Sequence, residues 1–357
     1  MNDQNNVDFN NLDNYDLQNN NTPCYKTKTF IIIIILLLLI LLTGGAFLYF
    51  FILRKSDNDN DNNKSSNSIP NYSFVAEYCT QEENQTIRLI SSYYLNNIIE
   101  LIIDGNKVND TFTEYTFNSI GIHKVYFLFN LSGLTSTQYM FSGLPNIISI
   151  NFTSLFNTEN IGNMESMFSG SRNLTFVNIS NFNGKNVSSI NYMFMYCEFL
   201  NSVDFSNFNA PKLIYADSLF KECHFLEYVN FTNFNAPKLK YMRQMFFICI
   251  SLKSLDLSSL STEDDTILEE TFYNCWAMKY LNLKNFKHKL RENLNNHILA
   301  GCYNLTYIDI SSFTGEIPNK ILLITETLPS EGEIILRLDF YNLIRDQIPK
   351  GWNVTLA

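Results

Sequence analysis

The stretch MFMYCEFLNSVDFSNF, residues 193–208, decides the fold. In its first half Met193, Phe194, Cys197 and Leu200 fall at spacings of three and four. Its second half alternates: Val203 and Phe205 are apolar, Ser202, Asp204 and Ser206 polar, and Phe208 closes the unit. The same signature recurs seven times between Met140 and Phe313, on the anchors Phe141, Phe168, Phe194, Phe220, Phe246, Phe272 and, in degenerate form, Leu299. Successive anchors are 26 or 27 residues apart. Three residues after the anchor stands a residue of buried type, Leu144, Ser171, Cys197, Cys223, Cys249, Cys275 or Cys302. A fixed period of this length marks a solenoid, in which each coil completes its core only by stacking on its neighbours.

Two periods share each coil. Val187, Ile190, Met193, Phe194, Cys197 and Leu200 line one face of a short helix, and Leu239, Met242, Met245, Phe246, Cys249 and Leu252 repeat it. The alternating half reads as a strand with one face buried. The expected fold class is therefore α/β, with helices outside and parallel strands inside. The run Met193-Phe194-x-x-Cys197-x-x-Leu200-x-x-Val203-Asp204-Phe205-Ser206-x-Phe208 resembles the BspA-like leucine-rich repeats in their 26-residue form. It departs from them at Thr271, where Met is usual, and at residues 297–300, where the Phe anchor is missing. The resemblance implies a seven-repeat leucine-rich-repeat solenoid, surface exposure, and adhesion or recognition without catalysis.

Outside the array the composition changes. Residues 1–28 are polar and rich in Asn and Asp, which predicts a disordered cytosolic tail. Residues 30–53 are almost wholly apolar; as a helix they rise roughly 36 Å, enough for a hydrocarbon core of about 30 Å. A single transmembrane helix is expected there, with a flexible stalk at 54–68. A β-rich N-terminal cap follows at 69–130, the solenoid at 131–313 and a C-terminal cap at 314–357. Asn-x-Ser/Thr triplets at Asn71, Asn84, Asn109, Asn130, Asn173, Asn186, Asn304 and Asn353 are candidate glycosylation sites. With them the expected topology is single-pass, the repeats outside the plasma membrane. The integral membrane is then one partner and an extracellular protein or glycan the other.

The net charge of −10 argues against nucleic acid as a partner. The five repeat cysteines stand singly on consecutive coils, whereas zinc sites need close pairs brought together, so no metal is assigned. They read as a buried thiol ladder beside the Phe anchors, on an outer side where helices would hold successive coils too far apart for disulfides. His123, His224, His288 and His297 share no spacing with a nucleophile or acid, and no Gly-rich phosphate loop occurs. No catalytic residue, cofactor or small-molecule substrate can be named.

The outward positions of the strands form columns. The middle column runs Asn151, Asn178, Asp204, Asn230, Asp256, Asn282, Asp309, and a flanking column Ser149, Phe176, Ser202, Tyr228, Ser254, Tyr280, Tyr307. Alternating Asp with Asn spaces the carboxylates roughly 10 Å apart, twice the interstrand distance, and predicts an amide–carboxylate ladder. Tyr228, Tyr280 and Tyr307, with Asp204, Asp256 and Asp309, are the candidate ligand-binding residues of an expected concave face. Lateral association into a coat or organelle-lumen scaffold is the alternative.

Overall fold

The computed structural model describes residues 71–260, 262, 266–290, 297–315 and 328–357. The expected tail, membrane span and stalk, and Cys24, lie outside the described residues. Among the described residues no helix is long and apolar enough to cross a membrane. The expectations of a one-span integral membrane partner, a single-pass topology and a plasma-membrane location are corrected on that finding and are carried no further.

The described chain opens as an antiparallel unit. Strands β1 (Phe74–Thr80), β3 (Ile98–Ile103), β4 (Asn106–Lys107) and β6 (Gly121–Phe129) share one sheet, while β2 (Gln85–Arg88) pairs with β5 (Glu114–Phe117). Asp104 and Gly105 link β3 to β4 with φ of 49° and 81°, as a tight hairpin requires. From β1 the sheet continues without a break into the solenoid. β1 pairs on one side with β6 and on the other, also antiparallel, with β7 (Ile147–Phe152), the strand of the first coil. The apolar end of the array is thereby covered, with Phe74 wholly buried against Phe127, Phe141 and Phe152.

Beyond β7 every coil contributes a three-residue parallel strand: β8 (Phe176–Asn178), β9 (Ser202–Asp204), β10 (Tyr228–Asn230), β11 (Ser254–Asp256), β12 (Tyr280–Asn282) and β14 (Tyr307–Asp309). The ladder runs unbroken to β10 and resumes at β11, leaving a seam between two sheets. A short pair, β13 (His288–Leu290) with β15 (Phe313–Gly315), lies beside the last coils. β16 (Glu331–Leu336) and β17 (Gly351–Leu356) extend the second sheet in parallel, joined through α1 (Leu338–Ile344).

The expected α/β class is wrong: this is a β-solenoid of about six turns, and only its solenoid character and parallel strands answer to the leucine-rich-repeat reading. Where helices were expected, the coils anchored on Phe141 to Phe272 carry a run of turns whose φ is positive two residues before and two residues after the anchor, and the Leu299 coil keeps the second of these. The first set is Tyr139, Ser166, Tyr192, Ser218, Gln244 and Glu270; the second is Gly143, Gly170, Tyr196, Glu222, Ile248, Asn274 and Gly301. A residue in the left-handed region cannot continue a right-handed helix; at the third position of a four-residue turn it makes a type II geometry. In the second coil Met167 N–H reaches the Met164 carbonyl at 3.4 Å and Ser171 N–H the Phe168 carbonyl at 3.1 Å, each across one such residue.

The N–H groups between them point along the solenoid axis. Phe168 donates to Met193, Phe194 to Leu219, and Phe220 to Met245, at 2.8–2.9 Å. Coil therefore bonds to coil on both sides of the core, and the anchors stack almost face to face, with centroids 5.2 Å apart for Phe168–Phe194 and 5.5 Å for Phe194–Phe220. That spacing removes the wedge of wide helices against narrow strands, and with it the reason to expect a concave strand face. It also overturns the argument that the outer side holds successive coils too far apart.

Gly301 shows how closely the coils pack. A Cβ there would sit 2.0 Å from Asn274 Oδ1 and 3.0 Å from Asn274 Cα, so at this turn only glycine fits.

Candidate functional site

Each strand buries its central residue and turns its two outer residues away from the core. Val177, Val203, Val229 and Leu255 are at most 4% exposed, and the columns expected from the sequence stand side by side. Asn151 pairs with Asn178, Asp204 with Asn230, Asp256 with Asn282, and Asn282 with Asp309. Ser202 lies between Phe176 and Tyr228, and Tyr280 between Ser254 and Tyr307.

What the middle column does differs from the expected ladder. Only Asn178 reaches along it, donating to Asn151 Oδ1 at 2.8 Å. The recurrent contact is local. Oδ1 of Asn178, Asp204, Asn230, Asp256, Asn282 and Asp309 each accepts the backbone N–H two residues on, at 2.8–3.1 Å. These are Asx turns, which bend the chain out of its strand. Asp and Asn serve that purpose equally, so the turn requires the oxygen and leaves the charge optional. Asp204 and Asp256 are exposed, while Asp309 is buried at 4% and Asn282 at 9%.

The aromatic column is uneven. Phe176 and Tyr228 are 52% and 53% exposed. Tyr280 and Tyr307 are half-buried and stack on each other at 4.5 Å, and Asn282 Nδ2 donates to the Tyr280 hydroxyl at 3.2 Å. Burial raises the Tyr307 hydroxyl pKa, and the neighbouring Tyr280, Asp309 and Glu333 add to the shift. Of the three tyrosines proposed from sequence, Tyr228 alone presents most of its ring.

The thiols occupy a third column. Cys197, Cys223, Cys249, Cys275 and Cys302 are free and wholly buried. Each Sγ–H donates to the carbonyl of the anchor in the preceding coil, Phe168, Phe194, Phe220, Phe246 and Phe272, at 3.0–3.2 Å. Ser171 makes the same bond to Phe141 at 2.6 Å. Burial raises the thiol pKa throughout, that of Cys302 to about 12, which leaves no thiolate to react or bind metal near neutral pH. Among the described residues no group of three or more His, Cys, Asp or Glu converges enough to hold a metal ion. Cys79, on β1, is disulfide-bonded and stands outside this column.

Sequence reasoning missed two groupings. On the turn side Glu165, Asp217, Arg243 and Glu269 form a half-buried column, with Gln138 and Asn191 at the equivalent places in their coils. Arg243 lies 3.4 Å from Asp217 and 3.3 Å from Glu269. Desolvation raises the carboxyl pKa of Glu165 and of Asp217, the latter opposed by Arg243. The coil period itself was the signal, since these positions recur every 26 or 27 residues. The second grouping is His123, whose Nδ1 lies 2.8 Å from Asp104 Oδ2 and whose Nε2 lies 3.1 Å from Thr80 Oγ1. Thr80, His123 and Asp104 thus mimic a nucleophile, base and acid. Thr80 is fully buried, however, and its hydroxyl is engaged by the Ser119 carbonyl at 2.8 Å and the Gly121 N–H at 3.1 Å. The trio ties the end of β1 to the β3–β4 and β5–β6 links of the cap.

The sequons are distributed likewise between roles. Asn71, Asn84, Asn109, Asn130, Asn304 and Asn353 are exposed, and Asn173 and Asn186 half-buried. Nδ2 of Asn173, Asn186 and Asn304 donates to the carbonyls of Pro145, Glu159 and Trp276 in the preceding coils, at 2.7–2.8 Å. These three have a packing reason to be asparagine.

A family model described as "Mycoplasma protein of unknown function, DUF285" matches residues 107–229, 135–259 and 200–302. Together the matches run from residue 107 to 302, more than half of the 357 residues, and their overlap follows the coils. No curated protein matches the chain.

Proposed function

The chain belongs to the family described as Mycoplasma protein of unknown function, DUF285, and from the geometry of its coils we propose that it acts by recognition: the strand face binds a protein or glycan partner. The observation that carries this reading is the row of aromatic side chains on a rigid sheet face. Phe176 and Tyr228 are more than half exposed on backbone fixed by neighbouring strands. Exposed aromatics on a rigid frame are the usual anchors of an interface, because they bury much apolar area at small entropic cost. The likeness to BspA-like leucine-rich repeats supports the same class, recognition or adhesion without catalysis. Glycans belong to this reading at the exposed Asn71, Asn84 and Asn109 of the N-terminal unit; Asn353 instead stands in the same register column as Tyr307, beyond Glu333.

The test is capture by the full chain from arrays of immobilised proteins and glycans, against Phe176→Ala, Tyr228→Ala and the double variant. Loss of capture at unchanged melting temperature is the expected result. Capture indifferent to both substitutions would overturn the assignment to this face.

A second reading, association of copies, is favoured by β17. Among the described residues no strand pairs with its outer side, and Val354 and Leu356 there are 37% and 49% exposed. An open edge of this kind templates pairing with another chain. Sedimentation that shifts with concentration, and ceases to in Val354→Lys, is its signature.

A further inference from the structure

On the strand face aromatic and small residues alternate coil by coil: Phe176, Ser202, Tyr228, Ser254, Tyr280. The alternation cuts two slots. The first has Ser202 as its floor and Phe176 and Tyr228 as its walls, in direct register. The second has Ser254 as its floor and Tyr280 in register on one side; on the other the unpaired β10 lies close across the seam and carries Tyr228 one repeat earlier. Tyr280 is covered by Tyr307 on its far side, which leaves its Ser254 side to the slot.

Each slot has a carboxylate two residues along the same strand, Asp204 beside Ser202 and Asp256 beside Ser254. Both are exposed. Each gives one oxygen to its Asx turn, to Ser206 N–H and Ser258 N–H at 2.8 Å, so the other oxygen remains available. Among the described residues neither aspartate pairs with a base, and Lys253 nearby is already neutralised by Glu227 at 2.6 Å. The charge is not needed for the fold, because Asn178, Asn230 and Asn282 make the same turn without it.

Two strand spacings separate the walls of the first slot by about 9.6 Å. A cation midway is then about 5 Å from each ring, within the roughly 6 Å reach of a cation–π contact. Across the seam the coils keep their interval, Phe220 stacking on Phe246 at 5.5 Å as it does on Phe194, so the two slots follow one another at about 9.6 Å. A polyproline II chain advances roughly 9.3 Å per three-residue turn. Resting on the recognition reading above, we infer that the strand face is a binding site for an extended basic peptide with Arg or Lys at every third position. One basic side chain enters each slot between two rings and meets Asp204 or Asp256, and the peptide runs across the strands along the solenoid axis.

The probes are fluorescent Pro-rich peptides carrying three arginines, spaced by three in one and by two in the other. Anisotropy titration of the full chain is expected to favour spacing by three about tenfold, the equivalent of about 1.4 kcal/mol. Asp204→Asn with Asp256→Asn should weaken it at least about tenfold at unchanged melting temperature, since asparagine keeps the turn. Asp309→Asn, at a buried position, should change nothing. Equal affinity for the two spacings would reduce the effect to general electrostatic attraction and overturn the inference. No peptide binding, with capture of a glycan or neutral protein still lost in Tyr228→Ala, would overturn the basic-peptide ligand and leave the recognition reading standing. Capture insensitive to Tyr228→Ala, with no peptide binding, would remove both.

Discussion

Cys223 illustrates how one residue type is chosen for two reasons. Its thiol fills a small volume beside stacked rings and donates to the Phe194 carbonyl at 3.0 Å. Serine at the equivalent Ser171 does both, so Cys223→Ser is expected to cost less than about 1 kcal/mol in urea unfolding. Cys223→Ala loses the donor and leaves a void, and should cost about 1–2 kcal/mol. Equal losses for the two would show that the thiol acts by volume alone. Ile248 is the opposite case, a residue at odds with its backbone. It holds φ of 58°, at the place that Gly143, Gly170, Tyr196, Glu222, Asn274 and Gly301 fill in other coils. A β-branched side chain there is an outlier, and the left-handed region costs ordinary residues about 1–2 kcal/mol. Ile248→Asn should therefore stabilise by about 1 kcal/mol and raise the melting temperature, provided the half-buried isoleucine adds little by packing. A lower melting temperature would mean that its contacts outweigh the strain.

At the scale of elements, the strands were legible and the turns were not. Val203 and Phe205 alternate with Ser202 and Asp204, and no helix satisfies that period. Residues 187–200 carry apolar side chains three and four apart, which a helix explains. A ladder of turns with one left-handed residue every fourth position gives the same spacing. Glycine would have betrayed it, but the left-handed positions hold Tyr192, Ser218, Gln244 and Glu270, and Gly143, Gly170 and Gly301 alone keep the sign. The departure at Thr271 becomes intelligible only in these turns: buried at 0%, its hydroxyl donates to the Met242 carbonyl at 2.9 Å. Of the candidate site, the columns and the exposure of Tyr228 were readable; the Asx turns that hold Asp204 and Asp256 were not, since they need the strand ends fixed first. The turn-side column adds a pH dependence. Burial raises the Glu165 carboxyl pKa in the folded state, so the unfolded chain releases that proton first. What this group adds to stability is full below the ordinary carboxylate range and is lost as pH rises through the raised folded value. Glu165→Gln, with Gln138 and Asn191 as native precedents in the same column, should melt higher than the wild type at pH 7. The two should coincide at about pH 4 or below, where the glutamate is protonated. A difference independent of pH would assign the effect to packing.

Among the described residues the molecule beyond its antiparallel unit is a row of coils in which the anchor rings from Phe168 to Phe246 each stack on two others, so its cohesion is that of its weakest junction. Phe220 stacks on Phe194 and Phe246 at 5.5 Å each and meets Phe205 edge-on at 6.2 Å. Its coil leads into β10, the last strand before the seam, so there one side of the core carries the continuity that the strands lack. Phe220→Ala should cost about 3–5 kcal/mol, from lost transfer energy and the cavity left between rings. In a quasi-linear array the loss falls on one junction and divides the cooperative unit in two. The buried thiols report on either side of it. Cys197 and Cys223 precede β9 and β10, while Cys249, Cys275 and Cys302 precede β11, β12 and β14. With their pKa raised by burial, all five should resist alkylation in the native state and react only as their coil opens. In the wild type, mass spectrometry across a urea series should show them reacting over a single range. In Phe220→Ala the group beyond the seam should react at lower urea than Cys197, because the antiparallel cap braces only the first sheet. Five thiols opening together at the wild-type midpoint would mean that the strand side, and not the ring stack, holds the coils together.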